Sequence, residues 1–253
     1  MIAQTKEDIE RLRVGGKLLA DALRATATLV FSGQTTAALD LYAEKYIRDG
    51  GGVPSFLGYK PHEARTPFPA ALCVSINDEI VHGIPSEGRT VQEGDIVSLD
   101  LGLSYQGIFV DSALSLCVGE CDAGAKKLIA ATQEAIQKGI ATCRVGGHIG
   151  DIGAAVKEVA ERYNFSVVQD LGGHAVGKAV HEHPFIPNEG VVGEGENILE
   201  GMVLAIEPML AEGKGAIVLL SDGWTCSTRD HSRAAHFEHT ILVGKQGCEI
   251  VTS

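Results

Sequence analysis

The sequence predicts an α+β protein in which helices pack on one face of an antiparallel sheet. Helix-like periodicity occurs in two separated pairs of segments, near residues 5–48 and 122–163. Strand-like apolar runs come in blocks after each pair. Such blocks do not give the one-for-one alternation that a parallel βαβ sheet requires.

Taken in order, Thr5-Lys6-Glu7-Asp8 has the form of a capping box, and Ile9, Leu12, Leu18, Leu19 and Leu23 follow at helical spacing. Gly15-Gly16 in the middle of that helix predicts a kink or a close approach of a neighbour. A second helix is expected over residues 36–48, with Leu39, Tyr42, Ala43, Tyr46 and Ile47 on one side, stopped by Gly50-Gly51-Gly52. Residues 96–101 and 108–111 read as the arms of a hairpin around Ser104-Tyr105-Gln106-Gly107. Helices are expected again over 122–142 and 151–163, and strands over 202–206, 216–220 and 237–243. A shift of 113 positions lays Gly33 on Gly146, Leu39 on Ile152, Ala43 on Val156 and Tyr46 on Val159, which suggests an internal repeat. No stretch rich in Pro, Gly or Ser separates the two parts. We therefore expect a single domain, 1–253, made of two similar halves, about 1–121 and 122–253.

Composition excludes several classes. With 253 residues and 45% hydrophobic content the chain can bury a substantial core. A net charge of −12, from 21 basic and 33 acidic residues, repels nucleic acid and anionic lipid. No window is apolar enough for a membrane span, and the charged N-terminus lacks a signal core, so a cytoplasmic protein is expected. The six cysteines show no CxxC or zinc-finger spacing and read as reduced thiols.

The chemistry is signalled by acids in the wrong place. Asp100 lies inside DIVSLDLGL, Asp111 ends IFVD, Glu207 interrupts VLAIEPML and Glu238 interrupts HFEHTILV. If hairpin partners sum to 211, Asp100 faces Asp111, and facing carboxylates destabilise a sheet unless a shared proton or a cation relieves them. Each half also holds a His ahead of its acids: His82 before Asp100 and Asp111, His174 before Glu207 and Glu238. Four carboxylates with one or two imidazoles match the ligand set of a two-metal site, which generates a hydroxide nucleophile without Ser or Cys. Oxygen-rich ligation without sulfur suits Mn, Fe(II) or Co better than structural zinc. There is no GxSxG, GxxxxGK[ST] or HExxH, and His181-Glu182-His183 is too short for that zinc helix.

SINDEIVHGIP, DIVSLDLGL with FVD, GGHAVGKAVHEHP, AIEPM, DGWT and FEHT, in this order, resemble the type I methionine aminopeptidases. The resemblance spans essentially the whole chain. It implies a pita-bread fold, two pseudo-symmetric α+β halves around a dinuclear centre of two divalent ions (Co, Mn or Fe(II)). By motif position Asp100, Asp111, His174, Glu207 and Glu238 would be the metal ligands, with Asp111 and Glu238 bridging. Glu207 would also handle the proton, His181 would contact the scissile amide, and His82 would lie beside the substrate. Tyr59, Cys73, His82 and Trp224 would line the methionine pocket. The implied activity is removal of the initiator methionine from peptides and nascent chains, by a monomer with the ribosome as a candidate partner and no membrane or nucleic-acid partner. Three departures bear on the pocket: extra residues within 60–70, Phe56 where many relatives have Cys, and Val180 where many have Phe.

Other readings explain less. An Xaa-Pro aminopeptidase or prolidase of the same fold usually carries a separate N-terminal domain, whereas here the first helix starts within ten residues of Met1. A metal-free binding module would be expected to have lost ligands. A non-haem iron oxygenase needs two His and one carboxylate and leaves the other acids unexplained.

Overall fold

In the computed structural model, which describes residues 2–3, 5–62 and 64–253, the chain opens with α1 (Lys6–Ala27) and α2 (Thr36–Asp49). It continues through β1 (Val53–Pro54), β2 (Leu72–Ile76), β3 (Glu79–Val81), β4 (Ile96–Tyr105) and β5 (Ile108–Cys117). A second helix pair follows, α3 (Ala123–Thr142) and α4 (Ile149–Tyr163), then β6 (Ser166–Val167), β7 (Gly172–Ala175), β8 (Glu182–Pro187) and β9 (Val203–Ile206). The chain closes with β10 (Met209–Ala211), β11 (Ile217–Leu219), β12 (Cys226–Thr228), β13 (Ala234–His236), β14 (Glu238–Gly244) and β15 (Gly247–Ile250). Among the described residues no helix is long and apolar enough to cross a membrane, and all six cysteines are unpaired.

The helices start where the caps predict. Thr5 accepts from the Asp8 N–H at 3.0 Å, Thr35 from Ala38 and Asp122 from Ala125. Only α4 begins earlier than expected, because His148 takes the cap and the Asp151 carboxylate reaches back to its N–H at 2.9 Å. The Gly15-Gly16 pair marks close approach, not a kink. A Cβ on Gly16 would stand 2.2 Å from the Val251 carbonyl oxygen and one on Gly15 3.0 Å from the Tyr105 Cβ.

One large antiparallel sheet runs in the order β1-β4-β5-β14-β9-β7-β8, with β2 also on β4 and β15 also on β14. Alternation along β4 decides its two faces. Val97, Leu99, Leu101 and Leu103 join Leu12, Leu19 and Leu23 of α1 in one apolar cluster, which leaves Ser98, Asp100 and Gly102 on the opposite face. The helices cover the outer face of the sheet and the acids lie on the inner one.

The hairpin register differs from the expectation. Gln106 and Gly107 both have positive φ, 48° and 83°, and form a two-residue turn that pairs Tyr105 with Ile108. Partners therefore sum to 213, so Asp100 faces Ala113 and Asp111 faces Gly102. A slip of two residues leaves every side chain on its face, and the two aspartates become diagonal neighbours on the inner face.

The 113-residue offset reappears in the hydrogen bonding. Helix α2 starts at Thr36 and α4 at Ile149. The Gly33 N–H donates to Val91 O as Gly146 N–H does to Ile198 O. Val91 N–H returns to Gln34 O as Ile198 N–H does to Gly147 O. The two parts meet where β5 pairs with β14.

Candidate metal centre

Two adjacent rows of side chains cross the inner face. In one, Cys73 faces Asp100, Asp100 faces Ala113, and Ala113 faces Glu238 across β2, β4, β5 and β14. In the next, Gly102 faces Asp111 on one side, while Thr240, Ala205 and His174 pair in turn across β14, β9 and β7. The Thr240 hydroxyl joins the two parts of that row, accepting from the Asp111 N–H at 2.9 Å and donating to its carbonyl at 2.8 Å. Small residues thus alternate with the acids, and the long donors have room to converge above Ala113 and Ala205. Glu207 enters directly after β9, its carbonyl held at 2.9 Å by the Asn188 side-chain amide.

Donor atoms of Asp111, His174 and Glu238 lie within 4.8 Å of one another, and all three residues are buried. His174 Nε2 is 3.4 Å from Glu207 Oε1. The other ring nitrogen, Nδ1, lies 3.0 Å from the Ala175 carbonyl, which can only accept, so Nδ1 carries the hydrogen. Nε2 then presents a lone pair to the Glu207 carboxyl, and two acceptors face each other once Glu207 is ionised. Asp100 Oδ1 and Glu238 Oε1 are buried without a hydrogen-bond partner. Burial pushes Asp100 up to about 7, and burial with the neighbouring carboxylates pushes Asp111 and Glu238 well above the usual carboxylate range. Burial alone does the same for Glu207. Orphaned oxygens, opposed acceptors and clustered acids are all relieved by cations, so these residues fit divalent metal.

The four acids and His174 line a cavity of about 570 Å³ together with Tyr59, Cys73, His82, His181 and Trp224. Every site residue expected from the sequence is therefore in one place. The His181 ring sits edge-on to His174, centroids 4.4 Å apart, and its Nδ1 is 2.7 Å from the Tyr59 hydroxyl. His82 has a left-handed backbone, φ 60°, a strained conformation for a non-glycine residue. Burial lowers His82 to about 4 and His174 to about 3, so both rings are neutral at pH 7. The remainder of the HEH segment also borders the cavity: Glu182 accepts from the Ala179 N–H and His183 Nε2 contacts Glu196.

Two residues escaped the sequence reading. Phe68 is buried in the apolar wall with Phe56, Cys73, Val180 and Trp224, and meets the Trp224 ring edge-on at 5.2 Å. It belongs to the 60–70 stretch, of which Glu63 lies outside the described residues. Residues 60–67 leave and return through two hydrogen bonds, Gly58 N–H to Phe68 O and Phe68 N–H to Tyr59 O. His236, 1% exposed, places Nε2 3.5 Å from Glu207 Oε2. Its position two residues before Glu238 was the available signal.

The sequence profile of metallopeptidase family M24 matches residues 10–245. A methionine aminopeptidase of Aquifex aeolicus (strain VF5) is 42% identical over 250 residues, covering 98% of this chain and 97% of that protein. The crystal structure of a methionine aminopeptidase from Thermotoga maritima superposes with a TM-score of 0.95 at 40% identity, over the full length of both chains. A prolidase from Pyrococcus horikoshii, 20% identical, shares the fold alone, with a TM-score of 0.75 over 63% of its length.

Proposed function

This chain belongs to metallopeptidase family M24, and on that premise we propose how its pita-bread fold removes an N-terminal methionine. The activity is that of a metal-dependent methionine aminopeptidase. The observation that carries the site reading is the convergence of buried Asp111, His174 and Glu238 donor atoms within 4.8 Å, beside orphaned Asp100 and Glu238 oxygens and a Glu207 carboxyl 3.4 Å from His174 Nε2. Asp100, Asp111, His174, Glu207 and Glu238 would hold two divalent ions, whose four charges balance four carboxylates; oxygen-rich ligation favours Co, Mn or Fe(II). Bound there, such ions supply a nucleophilic water at neutral pH and Lewis-acid stabilisation of the carbonyl oxygen.

The protein's own groups do the rest. Glu207, which also lines the cavity, accepts the proton of the attacking water and passes it to the leaving amine. Tyr59 donates its hydroxyl hydrogen to His181 Nδ1, which leaves the hydrogen on Nε2, facing the substrate carbonyl. Neutral His82 acts through hydrogen bonding and shape, and Tyr59, Cys73, Trp224 and Phe68 enclose the thioether side chain. A free α-amino group would bind at the metal centre, which restricts cleavage to the first residue. We also propose a single catalytic unit, residues 1–253, whose halves, about 1–121 and 122–253, join at β5 and β14. In this reading it is a cytoplasmic monomer that works on nascent chains as they leave the ribosome, and its acidity disfavours direct nucleic-acid binding.

Metal-stripped protein given Mn, Fe(II), Co or Zn should release Met from Met-Ala-Ser and leave Leu-Ala-Ser, Ala-Pro-Ser and N-acetyl-Met-Ala-Ser intact. Cleavage of Ala-Pro-Ser would make it a proline peptidase instead. For the pocket wall, Phe68→Ala should cost about 10–100-fold in kcat/KM on Met-Ala-Ser, mostly through KM, and narrow the preference for Met over Leu. An unchanged Met-to-Leu ratio would remove Phe68 from the pocket.

A further inference from the structure

Among the described residues, the buried group least accounted for by its surroundings is the imidazole of His236. Neither Nδ1 nor Nε2 has a hydrogen-bond partner, although the residue is only 1% exposed. Buried polar atoms are normally paired, so an orphan ring on a rigid backbone points to a partner engaged in function. The backbone is rigid here. Ser115 Oγ accepts from the His236 N–H at 2.8 Å and donates to its carbonyl at 2.9 Å, and Ser98 Oγ stands 2.7 Å behind it. Strand pairing with Met209 of β10 adds a further restraint.

The ring faces Glu207. Nε2 of His236 lies 3.5 Å from Oε2, while Nε2 of His174 lies 3.4 Å from Oε1, so each carboxylate oxygen has its own imidazole. The two rings differ in what they can offer. His174 has committed its N–H to the Ala175 carbonyl and presents a lone pair. His236 has committed nothing and has an N–H to give. A gap of 3.5 Å exceeds a formed hydrogen bond, and catalytic contacts of this kind are often long before the site is loaded.

We infer that His236 is a positioning residue that donates its Nε2–H to Oε2 of Glu207, turning Oε1 toward His174 and the metal. The inference rests on the reading of Glu207 as ligand and proton carrier. A carboxylate held at its outer oxygen loses rotational freedom, and outer partners of this type are worth about 10–100-fold in metal affinity.

The test is calorimetric titration of metal-stripped protein with Mn(II) in the absence of substrate, beside kcat and KM on Met-Ala-Ser. His236→Ala should bind Mn(II) about 10–100-fold more weakly and lose kcat while KM barely moves. His236→Gln keeps one N–H donor and should recover most of both. Wild-type Mn(II) affinity in His236→Ala would overturn the inference. So would a His236→Gln protein that folds, by circular dichroism and melting, yet is as impaired as His236→Ala. A wild-type protein that neither binds Mn(II) nor releases Met would instead overturn the reading of Glu207 itself.

Discussion

Glu238→Ala should give a folded protein with peptide cleavage reduced about a thousandfold or more, a loss of about 4 kcal/mol in transition-state stabilisation. Glu238 is 2% exposed, its Oε1 is orphaned, and it faces Ala113 in the row that holds Asp100. Without metal it is a liability, because a carboxyl group has been moved out of water with no counter-charge beside it. The metal-free variant should therefore melt no lower than the metal-free wild type, and higher if relief of repulsion exceeds lost packing. The void faces a wet cavity, so the usual penalty for emptying a core is reduced. With Mn(II) the order reverses: wild type should gain melting temperature and the variant should gain little. Asp111→Ala should behave alike, since the bonds that hold that part of the sheet run from its backbone to Thr240 and survive the change. A wild-type Mn(II) increment in either variant, measured by scanning calorimetry, would remove that residue from the metal site.

The acids could be read in the sequence because they break a rule. Apolar runs such as DIVSLDLGL and VLAIEPML bury their neighbours, so a carboxylate among them needs a chemical reason, and period-two alternation already put Asp100 and Asp111 on one face. Their exact partners were not legible. A Gln-Gly turn gives a weaker signal than Asn-Gly, although Gln106 adopts the same left-handed backbone, and the register moved by two. The helices were legible from their caps and from local spacing. Strands such as β10, β12 and β13, three residues each, carry no periodicity of their own and exist only through tertiary partners. Phe68 was hidden for the same reason. Its place beside Trp224 depends on residues 60–67 returning to Gly58 and Tyr59, a closure that no local pattern announces. His236 looked like one more strand residue until the pairing of β10 with β13 brought Glu207 to it.

Metal affinity and metal-free stability should respond to pH in opposite directions. In the metal-free protein burial raises Asp100 to about 7, and Asp111, Glu207 and Glu238 are raised well above their ordinary values. Unfolded, the same groups titrate near 4. Between these limits the folded state holds more protons than the unfolded state, so unfolding releases them and stability falls as pH rises. The contribution is fully present below about pH 4 and, for Asp100, is lost as pH climbs through about 7. Opposing changes in the rest of the chain are held constant by comparison with Glu238→Ala, in which one buried carboxyl is gone and the decline should be shallower. Metal binding reverses the slope because cations require ionised carboxylates and must displace those protons. Apparent Mn(II) affinity should therefore rise from pH 5.5 to 7.5, with proton release that shows as a dependence of the binding heat on the ionisation enthalpy of the buffer. The melting-temperature gap between metal-bound and metal-free protein should widen over the same interval. Affinity independent of pH, with no buffer dependence of the heat, would mean that the four acids are already ionised in the metal-free protein and that something other than metal neutralises them.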